Sequence, residues 1–436
     1  MKKLLCTHKV IILIVLVMIS QKSEAQFLMD MIDTTKDMGR GMLSMFKRFD
    51  HIRIGGYMQP QFQVAGAKGA KGFSGGDFSP RSDNRFMLRR GRVRFDYAHF
   101  NEMDQPTIQF AIQFDGTERG VNIRDLWGRV FENKWQLFSV TGGMFARPFG
   151  YEINLSSSDR EAPERGRMSQ TLMKTERDLG AMISFEPRVK NHPLRYLKID
   201  VGVFNGQGLT GPSEYDSYKD IIAHIGLKPL RLSSKLTISG GVNTLQGGIA
   251  NPTKYKYMVG DGQSGKQFMV DSSEANLDSK MPRQYYGADM QWKYKMGWGF
   301  TELRGEYWFG KQTATKNNSE TPGTLPNEPL YVRKFNGAFI CFLQNIVNTS
   351  NQVVVKYDWY DPNTSVSGNE IGKAGTNFTP ADIKYSTLGF GYVRHLNQNL
   401  KLLLWYDHVT NEHTSLPGYT EDLNDDVFTC RLQFRF

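Results

Sequence analysis

Cysteine is scarce in this chain, with three in 436 residues, and beyond the first 25 positions no apolar run reaches the length of a membrane helix. The first absence excludes a disulfide-stapled scaffold. The second excludes a helical transporter, whose spans each need about 20 consecutive apolar residues. No HExxH pair occurs, and His408 and His413 lack zinc-helix spacing. Charged residues make up 22% and mean hydropathy is −0.46, as in a protein solvated over much of its surface. Yet 28 Phe, 19 Tyr and 7 Trp exclude a disordered chain. What remains is a large polar fold rich in aromatics and glycine.

The first residues carry an address. Lys2, Lys3 and Lys9 precede a short apolar core, Val10 to Ile19, and Ser23-Glu24-Ala25 ends in a small residue. This is the pattern of a secretory signal peptide over residues 1–25. Its removal takes away Lys2, Lys3, Lys9 and Lys22 against Glu24, so the net charge falls from +10 to +7. An exported chain with that modest surplus is not expected to bind nucleic acid. Cys341 and Cys430 remain, far apart and in alternating apolar segments, and read as small hydrophobes.

Residues 26–50 form the only helix-like stretch, with Phe27, Leu28, Met31, Ile32, Met42, Met45 and Phe46 at loose helical spacing. They are expected to form a periplasmic helical segment. From His51 the period becomes two. Ile52, Ile54, Met58, Phe62 and Val64 alternate with Arg53, Tyr57, Gln59, Gln61 and Gln63. Ile108, Phe110, Ile112 and Phe114 alternate with Gln109, Ala111, Gln113 and Asp115. Sixteen such segments follow one another to the C-terminus. The connections sort by parity: odd ones are mostly long and rich in Gly, Ser, Asn and charge, and even ones are short. Long loops at one end and short turns at the other describe a transmembrane β-barrel. The last segment, VFTCRLQFRF, sets Phe428, Cys430, Leu432, Phe434 and Phe436 on one face and Thr429, Arg431, Gln433 and Arg435 on the other. In water that apolar face is an aggregation risk; in lipid it is the required surface. The expected fold is therefore all-β, a 16-stranded antiparallel transmembrane β-barrel over residues 51–436, with short periplasmic turns and long extracellular loops, in the bacterial outer membrane.

The inward face is where function is expected. Arg90, Arg92 and Arg94 share one face of the second segment, about 7 Å per step. Guanidinium forks bind two oxygens of a phosphate or carboxylate, so the column reads as part of an anion pathway. The third long loop, 145–177, has the position of a loop that folds into the lumen and narrows it. It mixes Arg147, Arg160, Arg165, Arg167, Lys174 and Arg177 with Glu152, Asp159, Glu161, Glu164 and Glu176. Arg147, Arg165 and Arg167 join the candidate pathway. Glu302, Arg304 and Glu306 share an inward face and weaken anion attraction.

With GGYMQPQF near the start, LRRGRVRFD in the second segment, GMFARPFGYE at the third loop, and ERDLGAMISF, VGVFNGQG, LRGEYWFGKQ, VVKYDWYDPN and the terminal RLQFRF in order, the chain resembles the phosphate-selective porin O and P family. The resemblance implies a sixteen-stranded barrel, trimeric, passing small anions through an arginine-lined pore, with outer-membrane lipid and lipopolysaccharide around it. It implies no cofactor and no enzymatic activity. One departure stands out: phosphate-selective members concentrate lysines in the fifth loop. Here Lys254, Lys256, Lys266, Lys280 and Arg283 face Asp261, Asp271, Glu274 and Asp278.

Other readings are weaker. Gly206, Gly208 and Gly211 match the dinucleotide fingerprint, but Pro212 follows and no acidic residue sits at the ribose position. Ser156, Ser157 and Ser158 have no evident histidine partner for a lipid hydrolase. The alternative that stays open is a closed or loop-shielded barrel with a surface-binding or structural role.

Overall fold

The computed structural model describes residues 51–209, 214–263 and 265–436. The signal peptide and the helical segment expected before residue 51 lie outside the described residues. The wall begins with β1 (Ile52–Ala65), β2 (Asn84–Phe100), β3 (Pro106–Thr117), β4 (Gly120–Phe131), β5 (Phe138–Ala146), β6 (Arg177–Phe185), β7 (Leu197–Phe204), β8 (Asp220–Arg231) and β9 (Leu236–Ala250). It continues, after a hairpin of β10 (Tyr255–Gly262) and β11 (Gly265–Ser272), with β12 (Lys280–Met296), β13 (Gly299–Ala314), β14 (Leu330–Ile346), β15 (Asn348–Asp361), β16 (Tyr385–His395), β17 (Leu400–Asn411) and β18 (Val427–Arg435).

Each wall strand pairs antiparallel with its neighbour, β9 pairs directly with β12, and β18 returns to β1 from Tyr57↔Arg435 to Ala65↔Val427. The result is a closed barrel of sixteen strands. Closure leaves no unpaired edge, the condition for strands to cross lipid. The hairpin is the exception: β10 lies parallel to the upper end of β14, Lys256↔Leu330 to Met258↔Val332, and packs Phe268 with Tyr331, Ile371, Phe378 and Ile383. The sequence placed this hairpin in a plain loop, because its alternation has no lipid-length strand around it.

The exterior carries the apolar phase. Ile54, Phe110, Ile183, Ile225, Leu303 and Phe434 are all exposed. Aromatic side chains cluster near both ends, with Trp135, Phe138 and Phe185 towards the short turns and stacked Tyr286 and Phe309 towards the long loops. No helix of the described residues is long and apolar enough to cross a membrane; the crossing is made by strands.

Two irregularities re-aim side chains, as bulges do. Pro60, which has no N–H to give to the ladder, marks a shift where Met58 faces Gly91 but Pro60 faces Leu88. Arg89 and Arg90 thus stand together opposite Gln59, and both face the lumen. A second shift, Gln113↔Asp125 but Phe114↔Ile123, does the same for Arg124 and Asp125.

Candidate functional site: the lumen and its inward loop

The connection 147–176 leaves β5, enters the barrel and returns to β6. Two short helices stiffen it, α1 (Tyr151–Asn154) and α2 (Arg167–Leu172). Its turn inward rests on Gly150, at φ +71°. A Cβ there would stand 2.2 Å from Glu306 Oε1 and 2.7 Å from Trp308 Cζ2. The Glu306 carboxylate accepts from the backbone N–H groups of Tyr151 and Glu152 at 2.8 and 2.9 Å and from the Trp308 indole at 2.7 Å. Glu152 then binds the loop to itself and to the wall. It accepts from Gly166 N at 3.0 Å, Ser169 Oγ at 2.6 Å and Lys356 Nζ at 2.6 Å.

One face of the loop is ionic. Glu164 receives Arg90 at 2.6 Å, Arg89 at 2.8 Å and Arg431 at 2.9 Å, bridging β2 and β18. Burial opposes its charge, but the three guanidiniums hold its carboxyl well below the ordinary carboxylate range. Arg304 of β13 donates to Glu161 at 2.8 Å, and Lys401 of β17 donates to the Ser158 carbonyl at 2.6 Å. The other face is apolar. Phe149, Ile153, Met168, Leu172 and Met173 form one buried cluster with inward wall residues that include Met182, Phe204, Ile222, Leu245, Tyr285 and Trp308. Phe149 meets Trp308 edge to face, centroids 4.8 Å apart. The expected polar lumen is therefore apolar over this sector, because the loop covers it.

The six candidate arginines do not form one ladder. Arg90 is taken by Glu164. Arg92 binds Asp115 at 2.9 Å, Tyr57 Oη at 2.7 Å and Ser157 Oγ at 2.8 Å. Arg94 pairs with Asp96 at 2.8 Å and keeps 34% of its side chain exposed. Arg147 sits apart, donating to the Thr175 carbonyl. Arg165 donates to the carbonyls of Ser169, within α2, and Met173, just past it, at 2.9 and 3.1 Å, and to Glu176 at 3.3 Å. Arg167 stacks 3.6 Å from the Tyr385 ring centroid and 4.5 Å from that of Phe73. Sequence reading passed over Arg89, Arg124, Lys356 and Lys401. For Arg89, strict alternation pointed outward; Pro60 across the ladder was the available signal.

Between the connection 66–83, the loop and the wall strands β15 to β17 lies a small solvent-connected cleft of about 30 Å³. Gly72-Phe73-Ser74-Gly75-Gly76 on its rim has the spacing of a nucleophile elbow. It lies in a loop instead of a strand-to-helix turn, and Ser74 Oγ donates to the Asp407 carboxylate at 2.7 Å. Among the described residues no group of His, Cys, Asp and Glu is arranged to hold a metal.

No protein-family model matches the sequence, and no curated protein does. Solved structures do. OprB of Pseudomonas putida superposes with a TM-score of 0.55 at 10% identity, over 96% of this chain and 100% of that one. An anion-selective porin from Comamonas acidovorans gives 0.52 at 12%, over 88% and 99%. The outer membrane channel DcaP of Acinetobacter baumannii gives 0.52 at 13%, over 88% and 97%. At these identities the likeness is one of architecture, and the architecture is that of the outer-membrane porins.

Proposed function

We propose that the chain is an outer-membrane porin giving passive diffusion of small polar solutes, anions among them. The observation that carries this reading is the closed wall with an apolar exterior and a charged connection folded inside. Lipopolysaccharide and lipid surround such a barrel, and a homotrimer is the assembly we expect. Arg90, Arg92 and Arg94 give the lumen wall its positive column, and Arg147, Arg165 and Arg167 act mainly in holding the loop. Because the column's guanidiniums face carboxylates, the anion preference is weak, and phosphate specificity is not expected. No step here calls for catalysis or a cofactor.

Planar-bilayer recording tests the reading. Stepwise conductance is expected, with a small anion-favouring reversal potential across a KCl gradient; absence of any steps overturns it. A second reading, a loop-shielded barrel, is favoured by the apolar cluster that seals one sector of the lumen. Its signature is conductance that appears only after residues 150–172 are shortened.

A further inference from the structure

The short connections do not share charge evenly. Those at 101–105, 347 and 396–399 carry Glu102 and Asp104 and no Lys or Arg. Those at 132–137, 186–196 and 232–235, with the strand ends beside them, carry Lys134, Lys190, Arg231, Lys235 and Lys295. All five are exposed. None has a carboxylate of the described residues at ion-pair distance. The carboxylates nearby are spent elsewhere: Glu132 on the N–H groups of Trp135 and Leu137, Glu186 on Lys228 at 3.3 Å, and Glu302 on Arg304 at 2.5 Å. Arg188 and Arg195, in the same connections, donate to backbone carbonyls.

Backbone hydrogen bonds join these connections into one arc. Glu186 N donates to the Leu137 carbonyl, Lys228 N to that of Tyr196 and Lys295 N to that of Lys235, each at 2.7 Å. Direct pairing of β9 with β12 leaves the arc unbroken from β4 to β12. Exposed apolar side chains are interleaved with its cations: Trp135, Val189, Leu194, Leu232 and Trp298. Lys134 Nζ lies 5.3 Å from the Trp135 ring centroid. Here the apolar exterior of the wall ends, at the Phe138–Phe185 contact. Indoles settle at headgroup depth, and lysine and arginine lay their stems on apolar surface while the charge reaches outward. Cations at that depth attract anionic headgroups. The opposite end has no such surplus: the connection 412–426 holds Glu412, Glu421, Asp422, Asp425 and Asp426 and no Lys or Arg.

We propose that this arc is a docking surface for anionic phospholipid in the leaflet at the short-turn end. The exposed cations take the headgroup phosphate, and the apolar side chains between them take the upper acyl chains. The arc lies outside the lumen, so the test does not depend on conduction. The purified full barrel, in non-ionic detergent, is given equal amounts of phosphatidylglycerol and phosphatidylcholine with identical chains, then washed. Retained lipid is counted by mass spectrometry. Phosphatidylglycerol should exceed phosphatidylcholine about fivefold at about 10 mM salt and less than about twofold at about 1 M, where the Debye length falls to about 3 Å. A ratio near one at both salts overturns the proposal. Free glycerol phosphate at millimolar concentration should leave the ratio in place, because it lacks the chains; a collapsed ratio would assign the arc to soluble phosphates and overturn the lipid. Lys134→Gln, Lys190→Gln and Lys235→Gln together should bring the ratio below about twofold at low salt, and Glu102→Gln on the other half of the rim should not change it. An unchanged ratio in the triple variant overturns the assignment to this arc. The two salts and two headgroups on unaltered protein decide the matter even where the variant fails to fold.

Discussion

The two faces of the inward loop are held by different physics. Against β1, β2 and β18 the loop presents charge: three guanidiniums on Glu164 and the Ser157 hydroxyl on Arg92. Against β6 to β9 and β12 to β13 it presents Phe149, Ile153, Leu172 and Met173 to an apolar wall. Ionic contacts are directional, and removing one partner strands a buried charge. Apolar contacts scale with area and tolerate small displacement. The charged face therefore fixes where the loop sits, and the apolar face supplies adhesion. The glycine hinge at 150 connects the two.

Breaking the ionic face should have the largest effect. Glu164→Gln leaves Arg89, Arg90 and Arg431 without their common carboxylate, at a cost near 5 kcal/mol, the upper part of the range for a broken buried pair. We expect noisier, larger conductance steps and a lower heat-unfolding temperature. An unchanged single-channel record would show that the cluster does not hold the loop. Acid reaches the same group with a definite sign. The folded carboxyl lies well below its unfolded value of about 4.3. Its contribution is therefore intact above that value and lost as pH falls through the folded one. Conductance should hold steady from pH 7 to 5 and loosen only below about pH 4.

The apolar face should fail more gently. Phe149→Ala empties a fully buried site against Trp308, at about 3 kcal/mol. The expected result is a lower unfolding temperature with an unaltered reversal potential, since no charge moves. A change in selectivity as large as that of Glu164→Gln would erase the distinction between the faces. Gly150→Ala tests the hinge. A left-handed backbone costs a non-glycine residue about 1–3 kcal/mol, and the added methyl meets Glu306 and Trp308. Expression with a mobile, protease-sensitive loop is expected, read by limited proteolysis; a protected loop would show that the turn adapts.

The wall was legible in the sequence because alternation is local: Ile108 to Asp115 declare their faces without reference to any partner. All sixteen wall strands were visible for that reason, as was the inward placement of Arg431 and Arg304. The loop's seat was not. Glu164 and Arg431 are 267 positions apart, and no periodicity links them. Alternation also misleads where a bulge intervenes, as at Arg89 and Arg124. Phe149, Ile153 and Leu172 were visible as apolar residues in a loop, a signal of burial that says nothing about which wall receives them. On β2, Arg90 takes its partner from the loop and Arg92 from the loop and β3, and charge pairing across such distances is not written in spacing; only Arg94 pairs within its own strand, with Asp96.

The smallest effect belongs to Arg94, and it separates wall charge from loop-holding. Arg94 pairs with wall residues; it binds Asp96 and lies 3.9 Å from Asp125. With a third of its side chain in solvent, the pair is worth at most about 1 kcal/mol. Arg94→Gln should leave the loop, the unfolding temperature and the step size in place. What changes is the sign of the local field, because Asp96 loses its close partner. The anion-to-cation permeability ratio should fall by up to about fivefold, the equivalent of 1 kcal/mol, at 10 mM salt, where the Debye length is about 30 Å, and hardly at all at 1 M, where it is about 3 Å. A salt-independent change would mean that Arg94 acts on the loop after all, and that wall and loop charges form a single system.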